Sequence, residues 1–150
     1  MLKKTLYGAT LACAVLVSPL QANQDAVIDA MEGYLMFQEY QGATIRPEQI
    51  PGEEYDNIFV IDTRDAGQFQ EGHIPGAVNI EWREIIERRD EIPTDQQVLV
   101  YCNTGSLSAQ AGVMLRLAGF NNVRILQDGF TGWQQAGGLE AFERAMAEED

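Results

Sequence analysis

Two short, unbroken apolar runs constrain this chain more than any other feature: Ile58-Phe59-Val60-Ile61 and Val98-Leu99-Val100-Tyr101. Runs this short suit strands, and the lack of polar alternation means that both faces of each strand are covered. Helices between the strands must supply that cover, and the intervening sequence offers them. Asp65 to Gln70 reads as a short helix, Gly72 to Gly76 as a turn and Ala77 to Ile80 as another strand. Glu84 to Glu91 reads as a polar helix stopped by Pro93. Gly105 to Ala118 reads as a helix with Leu107, Ala111, Met114, Leu115 and Ala118 on one face and Gly119 as its C-cap,. Val123 to Leu126 is a further strand, Thr131 to Gln135 a short helix, and Leu139 to Ala147 a terminal helix before an acidic tail. Ahead of all this, Asn23 to Tyr40 forms an amphipathic lead-in helix with Val27, Met31, Tyr34 and Leu35 aligned, and Gln41 to Tyr55 is mostly loop with a short strand near Ala43 to Ile45. Alternating strands and helices predict one α/β domain with a mainly parallel sheet flanked by helices. There is no repeat and no low-complexity segment.

The N-terminus carries a targeting pattern. Lys3 and Lys4 precede an apolar run, Thr5 to Val17, of about 13 residues, short of the roughly 20 that cross a bilayer as a helix,. Ser18-Pro19-Leu20-Gln21-Ala22 follows, so residues 1–22 are expected to be a secretory signal cleaved after Ala22, with a retained anchor as the alternative,. Thr10-Leu11-Ala12 ahead of Cys13 fits a lipoprotein signal poorly. Cleavage removes Cys13 and both lysines, leaving Cys102 as the one cysteine and taking the formal charge from −13 to −15. Such a field repels polyanions, so nucleic acid and, once the signal is gone, anionic membranes are excluded as partners. An anionic substrate must be held by local donors.

Cys102 directly follows a buried strand and precedes a helix that starts near Gly105, where open parallel sheets bind ligands,. The loop Asn103-Thr104-Gly105-Ser106-Leu107-Ser108 can turn several backbone N–H groups inward against the helix N-terminus, making an anion-binding concavity. Gly105 supplies a positive φ or a close approach. A thiol there should titrate low and act as a nucleophile. Phosphatase chemistry of the Cys-x5-Arg kind is disfavoured, because the arginine position holds Ser108 and no Arg or Lys lies between Cys102 and Arg116,. Dithiol redox chemistry lacks its second cysteine, and one cysteine with one histidine, His73, makes a poor metal site, so no metal or other cofactor is expected,.

Four stretches in order then carry a family resemblance: Ile61-Asp62-Thr63-Arg64; Phe69 to Ile80 with Gly72-His73-Ile74-Pro75-Gly76; Val100-Tyr101-Cys102-Asn103-Thr104-Gly105-Ser106-Leu107-Ser108; and Ala118 to Val123 with Gly132-Trp133. Over 43–138 the chain resembles the rhodanese domain, with 23–42 as lead-in helix and 139–150 as terminal helix and tail, and it looks most like single-domain periplasmic rhodaneses of the phage-shock type. The resemblance implies a sulfurtransferase: Cys102 takes sulfur from thiosulfate or a related persulfide donor, holds it as a persulfide stabilised by the amides of 103–108, and releases it to cyanide, a thiol or an unidentified acceptor protein. A persulfide carrier or interaction module with little turnover is the alternative. Many relatives have a basic residue in this loop, where Ser106 and Leu107 stand here. Asp62 and Arg64 read first as a structural ion pair, with Arg64 a candidate neighbour of the substrate. His73 reads as scaffold, Phe130 and Trp133 as packing, and Arg83, Arg88 and Arg89 as a solvated helix face paired to glutamates. Asn103 and Ser108 are expected to bond either the loop or the bound sulfur.

Overall fold

The computed structural model describes residues 19–38 and 43–149. Helix α1 (Pro19–Met36) leads into strand β1 (Thr44–Ile45), followed by β2 (Phe59–Asp62), α2 (Ala66–Glu71), β3 (Val78–Asn79), β4 (Val98–Tyr101), α3 (Ser106–Leu117), β5 (Val123–Leu126), α4 (Gly129–Ala136) and α5 (Ala141–Glu149). All strand pairings are parallel, in the order β1-β5-β4-β2-β3. The two continuous apolar runs became β2 and β4, neighbours at the centre of the sheet,. Side chains of β4 alternate between two cores. Val98 and Val100 pack with Ile61, Ala111, Leu115 and Ile125 on one face, and Leu99 and Tyr101 with Val60, Ile74, Tyr55 and Leu126 on the other,. The carboxyl end of β4 therefore opens at the middle of the sheet edge, with the ends of β2 and β5 beside it.

Two expectations need correction. Glu84 to Glu91 is not a helix but a run of turns ending in a single 3-10 turn, Arg89–Glu91. Its apolar residues Ile85 and Ile92 are both buried in the core, seven positions apart with charged residues between, and no continuous apolar stripe was there to hold a helix against the sheet. Arg88 instead pairs Glu91 and Glu84, and Arg83 pairs Glu81, across these turns. The second correction concerns α3, whose buried face is Ser108, Ala111, Gly112 and Leu115. Met114 is 42% exposed, and Ala118 is exposed as well. A Cβ on Gly112 would lie 2.7 Å from Ile125 Cγ1, so the helix seats its smallest residue against β5.

The C-terminal end of α3 closes as expected around Gly119, at φ 100°. Gly119 N–H donates to Arg116 O and Phe120 N–H to Leu115 O, the paired bonds of a Schellman ending,. The expected signal segment lies outside the described residues as far as Ser18, Cys13 included. α1 begins at Pro19, ahead of the expected Asn23, and Val27, Met31 and Leu35 on it are exposed. It touches the body through α3, where Arg116 lies over the Tyr34 ring at 5.9 Å and donates to Gln38 Oε1.

Candidate active site

Cys102 sits at the carboxyl end of β4, 2% exposed. Residues 103–105 turn the chain so that Gly105, at φ 97°, caps α3, and Gly105 N–H points at Cys102 Sγ from 3.2 Å. The left-handed backbone is one that a side chain would strain, and it brings the first free N–H groups of α3 over the sulfur. Ser108, fully buried one turn along, places its hydroxyl 3.6 Å from Sγ and 3.1 Å from Gly105 O, so its single proton has two acceptors in reach. Burial pushes the Cys102 thiol up. The backbone N–H and hydroxyl of Ser108, with the backbone N–H groups of Thr104 and Leu107, outweigh that and hold it below its ordinary value,.

The expected loop is thus brought together, with a division of labour. Thr104, Gly105, Leu107 and Ser108 act on the sulfur through the main chain. Asn103 turns its side chain away. Its amide donates to Gln68 Oε1 at 2.9 Å and accepts from Arg64 Nη1 at 3.2 Å, tying the loop to α2 and to the end of β2. Ser106 is the first residue of α3 and is exposed.

Arg64 is 6% exposed and forms the expected ion pair with Asp62, which is fully buried. Nε bonds both carboxylate oxygens, and Nη2 bonds Asp62 Oδ2 and Gly72 O. The hydrogen bonds to Asp62 raise the guanidinium's already high pKa further. The same guanidinium lies over the Phe130 ring at 4.6 Å,. His73 bonds Phe69 O at 2.8 Å and stacks on the Phe69 ring, which fits the scaffold reading. Phe130 and Trp133 stack on each other against the second core.

One supporting turn went unread in the sequence. At Asp128-Gly129, both residues left-handed at φ 59° and 57°, the chain passes directly beneath the loop. A Cβ on Gly129 would stand 2.3 Å from Cys102 O. From the start of α4, Phe130 N–H donates to Cys102 O at 2.7 Å and Thr131 N–H to Asn103 O at 3.0 Å. The loop's carbonyls are therefore drawn down onto α4 while its N–H groups face the sulfur. Asp-Gly after a strand is a turn signal, but nothing in the sequence says what the turn supports.

A cavity of about 330 Å³ opens beside the loop, lined by Arg64, Gln68, Glu71, Gly72, Asn103, Phe130 and Gln134. Among the described residues no three His, Cys, Asp or Glu side chains gather where they could share a metal ion.

Residues 48–136, more than half the chain, match the Rhodanese-like domain family. The chain belongs to this family. A rhodanese-related protein from Thermoplasma volcanium superposes with a TM-score of 0.59 at 25% identity, covering 64% of this chain and 94% of that one. The sulfurtransferase of Allochromatium vinosum is 32% identical over 82 residues, 55% of this chain and 77% of that protein. The thiosulfate sulfurtransferase GlpE of Shewanella oneidensis is 31% identical over 83 residues, 55% and 82% of the two chains. The uncharacterized protein YqhL of Bacillus subtilis is 37% identical over 79 residues, 53% of this chain and 63% of its own length. The rhodanese fold expected from the motifs, a single domain with a parallel sheet between helices, is the fold observed.

Proposed function

We propose that this rhodanese is a sulfurtransferase enzyme of the thiosulfate sulfurtransferase type, cycling through a Cys102 persulfide. The observation that carries the reading is the sulfur's surroundings: N–H groups of Thr104, Gly105, Leu107 and Ser108 and a hydroxyl converge on a thiol held below its ordinary pKa. In the first step the Cys102 thiolate attacks the sulfane sulfur of thiosulfate. The new Sγ–S bond forms as the old S–S bond breaks, and sulfite leaves with its electron pair. In the second step cyanide, or a thiolate, attacks the outer sulfur and the Sγ–S bond breaks. Thiocyanate, or a new persulfide, departs, and the thiolate is restored. Negative charge stays on sulfur beside the same dipoles in both steps, so no general base and no cofactor is required.

A persulfide carrier is the second reading, favoured by the deep burial of Cys102 and by a loop free of lysine and arginine. Incubation with thiosulfate and cyanide separates the two. The enzyme reading expects thiocyanate from the wild type and none from Cys102→Ala. Silence from both proteins, with one added sulfur on wild-type Cys102 by intact mass, establishes the carrier instead. No added sulfur from any sulfane donor overturns both. On the leader pattern of residues 1–22 and the Cys-Asn-x-Gly loop, we place the protein in the periplasm, nearest the phage-shock-type rhodaneses. N-terminal sequencing of the periplasmic fraction, expected to begin at Asn23, tests that placement.

A further inference from the structure

The cavity beside the loop carries opposite charges on one wall. Arg64 Nη2 bonds Gly72 O at 2.6 Å, so the guanidinium lies one residue along the chain from Glu71, and both side chains line the space. Asp62, Gly72 and Asn103 take four of the five guanidinium N–H groups, and the Tyr101 hydroxyl is a further neighbour of the guanidinium,. Glu71 is exposed and has no hydrogen-bond or ion-pair partner among the described residues. The amides of Gln68, Asn103 and Gln134 complete the polar lining, and the Phe130 ring closes one side.

We propose that this cavity binds the amino-acid head of a small zwitterionic thiol, of the cysteine class, as the sulfur acceptor; the proposal rests on the sulfur-transfer reading above. A volume of about 330 Å³ lies at the small end of ligand cavities, roughly 300–1,000 Å³, and suits a metabolite,. Glu71 accepts the ammonium. The Arg64 guanidinium, with the amide N–H groups of Gln68 and Gln134, donates to the carboxylate,. Because Asp62 already balances Arg64, a dianion finds little net positive charge here, while a zwitterion finds both halves of its own dipole matched. The formal charge of −13 repels anionic thiols and leaves a net-neutral one unopposed,. The ligand binds as the neutral thiol and loses its proton to solvent, and its thiolate attacks the outer sulfur of the Cys102 persulfide; the new S–S bond forms, the Sγ–S bond breaks with its electron pair returning to Cys102 as thiolate, and the amino-acid persulfide leaves.

The test loads the wild-type protein with one sulfur and measures its discharge by cysteine, N-acetylcysteine and cysteine methyl ester, each rate divided by the thiolate fraction. The expected preference for cysteine over either blocked thiol is roughly three- to tenfold. In Glu71→Gln the preference over N-acetylcysteine falls to within twofold, and in Glu71→Lys it inverts. Equal discharge of all three thiols by the wild type, or a preference that survives both substitutions, overturns the inference. A second arm needs no persulfide: titration of Cys102→Ser with serine, followed by the side-chain amide resonances of Gln68, Asn103 and Gln134, is expected to saturate in a Glu71-dependent way. Absence of saturable shifts also overturns it. Saturable binding in a protein that never accepts sulfur refutes the transferase reading alone, and sulfur loading without amino-acid preference refutes this inference alone.

Discussion

Replacing Gly129 by alanine tests whether α4 shapes the loop that follows Cys102. The new methyl carbon would lie 2.3 Å from Cys102 O and 2.8 Å from both the carbonyl carbon and the oxygen of Asn103. Non-bonded carbon atoms settle about 3.5–4.0 Å from their partners, so the loop backbone must retreat by about 1 Å. The three nearest clashing atoms are all main chain, so no side chain can swing aside to relieve them. The left-handed conformation at φ 57° adds strain for any residue but glycine. That strain costs about 1–3 kcal/mol and the overpacking about 1–3 kcal/mol, offset by about 0.4–1 kcal/mol from the less flexible unfolded chain. A net loss of about 3 kcal/mol lowers Tm by about 6–12 °C. Function should suffer more than stability. The retreat breaks the Phe130 N–H bond to Cys102 O, at 2.7 Å, and carries the sulfur away from Gly105 N–H. A misplacement of about 1 Å costs on the order of 10²-fold in rate. Persulfide loading is read by intact mass after rapid quench, well below the variant's Tm, with far-UV circular dichroism confirming the fold. A Gly129→Ala protein that loads within twofold of wild type and melts within about 2 °C of it would refute the reasoning.

The remaining predictions use the same quenched-loading assay or equilibrium unfolding. Cys102 titrates lower in the fold than in the unfolded chain, so the loading rate rises with pH below the range of an ordinary thiol,. Stability gains with pH between the folded and unfolded midpoints and loses that gain as pH falls through the folded one. Ser108→Ala removes a lowering contact and moves the rise in loading to higher pH; a profile unmoved by the substitution contradicts the role given to the hydroxyl. Asp62→Ala strands the buried Arg64 charge and should cost about 3–5 kcal/mol in urea unfolding, whereas a loss under about 1 kcal/mol would show that the pair contributes little,. Thiosulfate loading should accelerate with salt, because a dianion and a protein of formal charge −13 repel until the Debye length shrinks from about 10 Å at 0.1 M to about 3 Å at 1 M,. A rate that falls with salt means that a local cation dominates the encounter.

How far the sequence could be read depended on whether the information was local. Val98 to Tyr101 was read to the residue, because four buried apolar side chains in a row have few other uses. The loop after it was equally legible: a cysteine, a glycine and a helix start within a few residues say where N–H groups will point. Glu84 to Glu91 failed for the opposite reason. Its composition favours a helix, but the tertiary demand to bury Ile85 and Ile92 overrode local propensity,. The α3 face was right at Ala111 and Leu115 and wrong at Met114, because hydrophobicity picked Met114 whereas the contact with Ile125 is decided by closeness and selected Gly112. The Asn103–Gln68 bond spans 35 positions and the Arg64–Asn103 bond 39. Neither follows from the residue types, since Asn103 could equally have faced the sulfur. The sequence placed Cys102 at the end of a buried strand before a helix start, and only the fold identified what holds its loop in place.

Main-chain dipoles and a side-chain cation are not interchangeable ways of holding an anionic sulfur. A lysine or arginine in the loop carries a full charge that reaches several ångströms into solvent and captures the whole donor, including its sulfonate end. N–H groups carry partial charges, effective at hydrogen-bond distance and weak beyond the first turn of the helix. They stabilise what is already bonded to Sγ and do little for an approaching dianion. On the proposed reading the work of recognition shifts outward to the cavity walls, where the buried Arg64 guanidinium is shared among Asp62, Gly72 and Asn103. On the proposed reading, a site of this kind keeps a persulfide well and gathers dianionic donors poorly, and the charges of Arg64 and Glu71 would set its choice of partner more than those at the sulfur itself.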